Sequence, residues 1–266
     1  MTRDRPFERF EALAAVVPPP IRAVGVVVPA HNEQARIGPC LRALRAALHQ
    51  LPPGVLGAIC LVLDRCADST AQVVAETLSG TDRWPSVDVL HNHEPGVVAR
   101  LRNRGVRQLT RRLVGSPARQ TWLLSTDADS TVSPSWATDH LRYADAGADA
   151  VAGMVGLDEP WRLDPRALGR YTMVLEAGTF GTAHSHAWAA NLGVRADAYR
   201  AVGGFPPVVS GEEHALLARL RAAGYRIASP TDVRVRTSAR LDGRATGGLA
   251  ELLHRLHAEP AGEPQP

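Results

Sequence analysis

The chain contains no lysine; all 30 of its cationic side chains other than histidine are arginines. That absence removes the enzyme classes that need an ε-amino group: P-loop kinases and ATPases, Schiff-base enzymes and pyridoxal-phosphate enzymes. Cysteine is scarce. Cys40, Cys60 and Cys66 are too few and too irregularly spaced for a disulfide framework or a zinc cluster. No G-x-G-x-x-G, H-E-x-x-H or G-x-S-x-G occurs, so the dinucleotide, zincin and hydrolase signals are missing. Aromatic residues make up 5% of the chain and net charge is only +3, which argues against a nucleic-acid partner. The same mild excess of arginine suits an anionic small substrate or a peripheral contact with an anionic membrane. No run of about 18 apolar residues is present, so no transmembrane helix is expected. Met1 to Phe10 is charged and lacks the apolar core of a signal peptide, which predicts a cytoplasmic location.

What is present is a chain of 266 residues with 45% apolar content, enough for one sizeable globular domain. Residues 1–20 end in Pro18-Pro19-Pro20 and predict a flexible arm; residues 258–266 predict a mobile tail. Between them, Ala23 to Val28, Ala58 to Leu63, Val87 to Leu90 and Thr121 to Thr126 are short apolar, β-forming runs. Amphipathic stretches follow the first three: about Gln34 to Leu51, Asp68 or Ser69 to Leu78, and Val97 to Val114. Alternating strands and helices predict an α/β fold with a mostly parallel sheet and helices on both faces. The second half is less regular. It predicts a strand over Ala148 to Val155, a helix over Asp164 to Phe180, a tight turn at Gly203-Gly204-Phe205 and a helix opening at Gly211-Glu212-Glu213-His214. A late strand over Val233 to Val235 and a last helix over Leu249 to Leu256 complete the reading.

Three of the early strands end in polar residues: Asn32 and Glu33, Asp64, then Asp127 and Asp129. In open α/β sheets ligands sit outside the carboxyl ends of the strands, so these residues predict one shared crevice. Asp127-Ala128-Asp129 puts two carboxylates on the rim, two residues apart. Crowded like charges call for a cation, and Mg²⁺ or Mn²⁺ would both neutralise them and hold a diphosphate.

These motifs together resemble the family 2 glycosyltransferases, which have the GT-A fold, over about Val24 to Leu241. Val26-Val27-Val28-Pro29-Ala30-His31-Asn32-Glu33 resembles the family's opening strand and turn. Leu63-Asp64-Arg65-Cys66-Ala67-Asp68-Ser69-Thr70 resembles its second segment, and Arg102-Asn103-Arg104-Gly105 its Arg-Asn-x-Gly helix. Asp127-Ala128-Asp129 stands at the metal-motif position, while Gly203-Gly204-Phe205 and Glu212-Glu213 match the acceptor side.

The resemblance implies that residues 21–257 form one glycosyltransferase domain, with a nucleotide-binding half to residue 130 and an acceptor half from 131. It implies that Ala30, Glu33 and Asp64 hold the nucleoside of a nucleotide-diphosphate sugar and that Arg102 lies near the diphosphate. Asp127 and Asp129 would hold Mg²⁺ or Mn²⁺, with Asp127 also touching ribose. Glu213, where the family usually has Asp, would be the general base that deprotonates an acceptor hydroxyl, giving inversion, and Glu212 a positioning residue or helix cap. Asn191 and His186 would line the sugar or acceptor pocket. His184, His186 and His214 are further candidates for a metal or phosphate contact, and Thr237 to Arg240 with Arg244 for a lid over the diphosphate. Alternatives are a retaining enzyme of the same fold and a binding module without a working base. Sugar nucleotidyltransferases are disfavoured because they need a Gly-rich loop and a lysine.

Overall fold

The computed structural model describes residues 19–80, 82–243 and 247–258. The expected arm as far as residue 18, the tail from 259 and Arg244 lie outside these residues. In chain order the strands are β1 (Ala23–Ala30), β2 (Leu56–Asp64), β3 (Ser86–Asn92), β4 (Thr121–Ser125), β5 (Ser130–Val132) and β6 (Ala150–Ala152). They continue as β7 (Met154–Asp158), β8 (Thr179–Phe180), β9 (Ala183–His184), β10 (Leu192–Arg195), β11 (Ile227–Ala228) and β12 (Arg234–Ser238). The helices are α1 (Ile37–His49), α2 (Thr70–Leu78), α3 (Val98–Arg112), α4 (Trp136–Asp145), α5 (Pro165–Ala177), α6 (Ala196–Ala201), α7 (Glu212–Ala222) and α8 (Leu249–Ala258).

The main sheet has the order β11-β6-β10-β4-β1-β2-β3. β1 is buried along its whole length and lies parallel to both β2 and β4, which is why Val24 to Val28 is a continuous apolar run. Ile37, Leu41, Leu44 and Leu48 of α1 face one core with α2 and α4, as their spacing predicted. On the opposite face α3, α6 and α7 enclose a second core around Val27, Leu109 and Leu216. A third cluster joins α5 and α8 through Tyr171, Leu253 and Leu256. Among the described residues no helix is long and apolar enough to cross a membrane.

The mostly parallel α/β architecture is as expected, with several departures in the second half. Ala148 to Val155 does not form one strand; the chain changes sheets at Gly153. β6 belongs to the main sheet and β7 to a three-stranded sheet of order β5-β12-β7. A side chain at 153 would overlap the carboxamide of Asn191, so only glycine permits the crossing. Another departure is β10, which runs antiparallel between β4 and β6 where the sequence predicts no strand. Thr237 and Ser238, expected in a lid, are buried in β12, which pairs with β5 and β7. Residues beyond 130 therefore complete the sheet begun by residues before it.

Gly105 fixes how closely α3 approaches the sheet. A Cβ there would run into Val27 Cγ2 and meet Val62 Cγ2 at 3.2 Å. Gly105→Ala is therefore expected to lower stability by about 1–3 kcal/mol through overpacking, read as an earlier urea midpoint.

Candidate active site

The carboxyl ends of β1, β2 and β4 converge. β1 ends at Ala30, a buried residue whose carbonyl accepts the Cys66 thiol at 3.5 Å. The turn beyond it is tight: Asn32 has φ of 54°. Its carboxamide oxygen accepts the Ala67 backbone N–H at 2.7 Å, and the His31 ring donates to the Asp64 carbonyl at 2.6 Å. Glu33 follows, 6% exposed, and its own N–H donates to the Thr70 hydroxyl at 2.7 Å. These bonds tie the end of β1 to the end of β2. Asp64 accepts Asn92 Nδ2 at 2.7 Å and a two-pronged contact from Arg65 at 3.0 and 3.2 Å. Burial pushes its carboxyl up, but the Arg65 and Asn92 bonds outweigh burial and hold it below the usual carboxylate range.

β4 ends at Ser125, and Asp127 and Asp129 occupy the turn before β5. Each carboxylate has its own arginine. Asp127 Oδ1 accepts Arg102 Nη2 at 2.6 Å, and Asp129 Oδ2 accepts Arg240 Nη2 at 2.9 Å. Arg240 Nη1 also donates to Glu33 Oε1 at 2.8 Å, so one guanidinium spans Asp129 and Glu33. The Thr237 hydroxyl donates to Asp129 Oδ1 at 3.2 Å. Burial and the neighbouring Asp127 push the Asp129 carboxyl up to about 6, against the opposing pull of Arg240. That electrostatic crowding, together with two hard oxygen donors on one turn, fits a divalent cation. Mg²⁺ commonly takes one or two protein carboxylates and completes its shell with water and substrate phosphate. Among the described residues no group of three or more His, Cys, Asp and Glu side chains converges as a ready-made metal cage.

Arg102 is 3% exposed and lies between the sheet and α7. Besides Asp127 it donates to Ser125 Oγ at 2.7 Å, its Nε lies 3.6 Å from Glu212 Oε1, and its guanidinium stacks 5.8 Å from the Phe205 ring centroid. Burial works against its charge, and Asp127 and Glu212 more than offset that. Its neighbour Asn103 clasps the Gly-Gly-Phe turn: Nδ2 donates to the Phe205 carbonyl at 2.7 Å and Oδ1 accepts the Phe205 N–H at 3.1 Å. Gly203 and Gly204 have φ of 80° and 70°, a left-handed path that favours glycine. The Arg-Asn pair of α3 thus fixes the turn that leads into α7.

Glu212 and Glu213 open α7 after the left-handed Gly211. Glu212 is buried against Arg102, whereas the Glu213 side chain keeps 17% exposure. Burial, then the like charge of Glu212, pushes the Glu213 carboxyl up to about 7, with Arg102 opposing. A carboxyl poised near neutrality, partly open and at a helix N-terminus, can take up or release a proton under ordinary conditions.

The sequence-based expectations fare unevenly in this geometry. Glu33, Asp64, Asp127 and Asp129 lie together at the strand tips. Arg102 is turned inward, with no face to offer a diphosphate, and serves as a buried counter-ion. Asn191 is fully buried, and its carboxamide is saturated by Trp136 Nε1, His140 Nε2 and the Met154 and Val233 carbonyls. It braces the sheet crossing at Gly153, and its expected contact with a ligand gives way to that role. His186 donates to the Leu175 carbonyl at 3.0 Å and stacks between His184 and Trp188. His214 is exposed, 3.8 Å from Glu213. The sequence reading passed over Asn92, His140 and the bridging position of Arg240. Asn92 left a trace, because it ends β3 as Asp64 ends β2.

The family model for glycosyl transferase family 2 matches residues 25–203. The chain belongs to that family. This glycosyltransferase has the GT-A fold, which its solved neighbours share. A mannosyltransferase from Pyrobaculum calidifontis, solved with GDP-Man and Mn²⁺, superposes with a TM-score of 0.62 at 18% identity, covering 88% of this chain and 68% of its own. S. aureus TarS residues 1–349 with UDP-GlcNAc gives 0.60 at 16% identity over 84% of this chain and 60% of that one. A longer TarS chain gives 0.58 at 16% identity, and this glycosyltransferase spans 36% of its length. A comparison with curated proteins finds no match.

Proposed function

We propose that this glycosyltransferase moves a sugar from a nucleotide-diphosphate donor to an acceptor hydroxyl in a metal-dependent reaction with inversion. The observation that carries this is that Asp127, paired with Arg102, and Glu213 lie close enough for their charges and that of Arg102 to act on one another. Asp127 and Asp129 sit on the strand tips, and Glu213, its carboxyl pushed up to about 7, sits at the start of α7. Ala30, Glu33 and Asp64 are assigned to the nucleoside, because they end the strands that border the same crevice. Asp127 and Asp129 are assigned to Mg²⁺ or Mn²⁺. A divalent ion there would act as a Lewis acid for the charge that develops on the departing diphosphate.

Glu213 accepts the proton of the acceptor O–H while the oxygen forms a bond to the anomeric carbon. The bond from that carbon to the diphosphate oxygen breaks, and its electron pair leaves with the nucleoside diphosphate. Attack opposite the leaving group inverts the anomeric centre. Arg102 takes no part in these bonds. It holds Asp127 and Glu212 in place, and through Asn103 its helix fixes the turn that presents Glu213.

A thermal-shift panel of nucleotide-diphosphate sugars, with and without Mn²⁺, tests the reading, since a ligand selective for the native state raises apparent stability by mass action. The expected result is stabilisation by one donor class that grows with Mn²⁺. In Asp129→Asn the Mn²⁺-dependent part should vanish and transfer should fall by roughly 10²–10³-fold, the scale of one preorganised charge-stabilising contact. Equal stabilisation with and without Mn²⁺ in both proteins would remove the metal from the proposal.

A further inference from the structure

Two arginines balance Asp127 and Asp129, and they differ in kind. Arg102 is sealed in the core at 3% exposure, held by Ser125, Asp127 and Glu212. Arg240 follows the last residue of β12, Ser238, by two positions, on backbone that pairs with neither sheet. Its side chain is 28% exposed, so it can exchange partners without opening the core. Its fork joins carboxylates from the two sheets: Glu33 beyond the end of β1 and Asp129 before β5. Both oxygens of Asp129 are then engaged, Oδ2 by Arg240 and Oδ1 by Thr237. A divalent ion on Asp129 and the guanidinium of Arg240 compete for the same lone pairs.

We propose that Arg240 is a resident counter-ion that occupies the cation position of the donor-free site and yields it only when metal and diphosphate arrive together. The inference rests on the assignment of Asp129 as a metal ligand. A lone Mn²⁺ must displace the charge-assisted contact of Arg240 Nη2 with Asp129 and leave the guanidinium with Glu33 as its one remaining carboxylate. When a nucleoside diphosphate is present, the released arm of the guanidinium gains phosphate oxygens, which offsets its loss of Asp129. The two ligands therefore bind with positive coupling, and by linkage each tightens the other by the same factor. Such an arrangement keeps Mg²⁺ or Mn²⁺ from settling in an empty site and ties metal uptake to donor uptake.

Titration of Mn²⁺ by electron paramagnetic resonance, following the loss of the free-ion signal, reads this without any turnover. Wild-type protein, Arg240→Gln and Arg240→Lys are compared alone and with UDP or GDP in separate series. Wild-type protein should bind Mn²⁺ weakly alone and about tenfold or more tightly with the matching diphosphate, within the usual range of coupling between sites. Arg240→Gln should bind Mn²⁺ alone about tenfold more tightly than wild type and lose most of the nucleotide enhancement. Arg240→Lys keeps the charge but not the fork, so it should fall between the two. Equal affinities of wild type and Arg240→Gln for Mn²⁺ alone would overturn the counter-ion role while leaving the metal site standing. Failure of every protein to bind Mn²⁺, even with nucleotide, would instead overturn the metal assignment itself, and this inference with it.

Discussion

Replacing Glu213 with glutamine is expected to reduce transfer by roughly 10²–10⁴-fold, the usual contribution of a general base, with donor binding close to that of wild type. The amide keeps the size of the side chain and its place at the start of α7 but cannot accept the hydroxyl proton. The pH behaviour follows from the same environment. Burial, with Glu212 beside it, pushes the carboxyl from 4.5 up to about 7. Only the deprotonated form acts as a base, so kcat/KM of the wild type should rise through about pH 7 and level off above it. The residual rate of Glu213→Gln should lack that rise.

Stability should move in the opposite direction. A carboxyl whose folded value lies above its free value binds its proton more tightly in the native state. Its contribution to stability is thus fully present below about pH 4.5 and is lost as pH rises through about 7. Glutamine carries no charge at any pH, so the variant should melt a few degrees above wild type at pH 8 and level with it near pH 4. Slower turnover together with greater alkaline stability would mark a group kept buried for its chemistry. Unchanged transfer in a single-turnover assay would end the assignment.

The half of the molecule that carries the strand tips was legible because its signals are local. A buried parallel strand needs an unbroken apolar run, so Val24 to Val28, Ala58 to Leu63 and Thr121 to Thr126 stood out. The helices between them showed a 3.6-residue period in Ile37, Leu41, Leu44 and Leu48. Their polar ends, Glu33, Asp64, Asp127 and Asp129, followed once those strands shared a sheet. What escaped depends on pairs distant in sequence. β10 is four residues long and sits beside β4 only because it packs antiparallel there. The break at Gly153 depends on the Asn191 carboxamide filling the space of a missing side chain. Arg240 meets Glu33 across 207 positions, a contact no periodicity announces. Asn191 shows the reverse error: the family resemblance implied a place in the sugar or acceptor pocket, whereas Trp136, His140 and two carbonyls use all its hydrogen-bonding capacity. Arg102 was expected near the diphosphate, yet its guanidinium is buried against Ser125, Asp127 and Glu212, since sequence does not reveal which way a helical side chain with a long stem turns.

Arg102→Met should be among the most destabilising single changes available in this protein. Methionine can fill the apolar part of the space and remain against Phe205, so packing is largely kept and the loss is mainly electrostatic. Two carboxylates lose their partner, and they do not suffer equally. Asp127 is 38% exposed and can be rescreened by water. The Glu212 side chain is 7% exposed and cannot. Removing one member of a buried pair typically costs about 3–5 kcal/mol; with only Glu212 fully enclosed, about 3 kcal/mol is expected, read as an earlier urea midpoint. Arg102 also opposes the upward push on Glu213. Without it the Glu213 carboxyl should rise further, so the pH–rate profile of the folded variant should shift to higher pH as kcat falls. Arg102→Lys separates charge from geometry. A lysine restores a positive charge but not the planar fork that reaches Ser125 and Asp127 together, so it should recover more of the stability than of the rate. A variant with wild-type stability and an unshifted profile would show that Asp127 and the start of α7 are held by something other than this arginine.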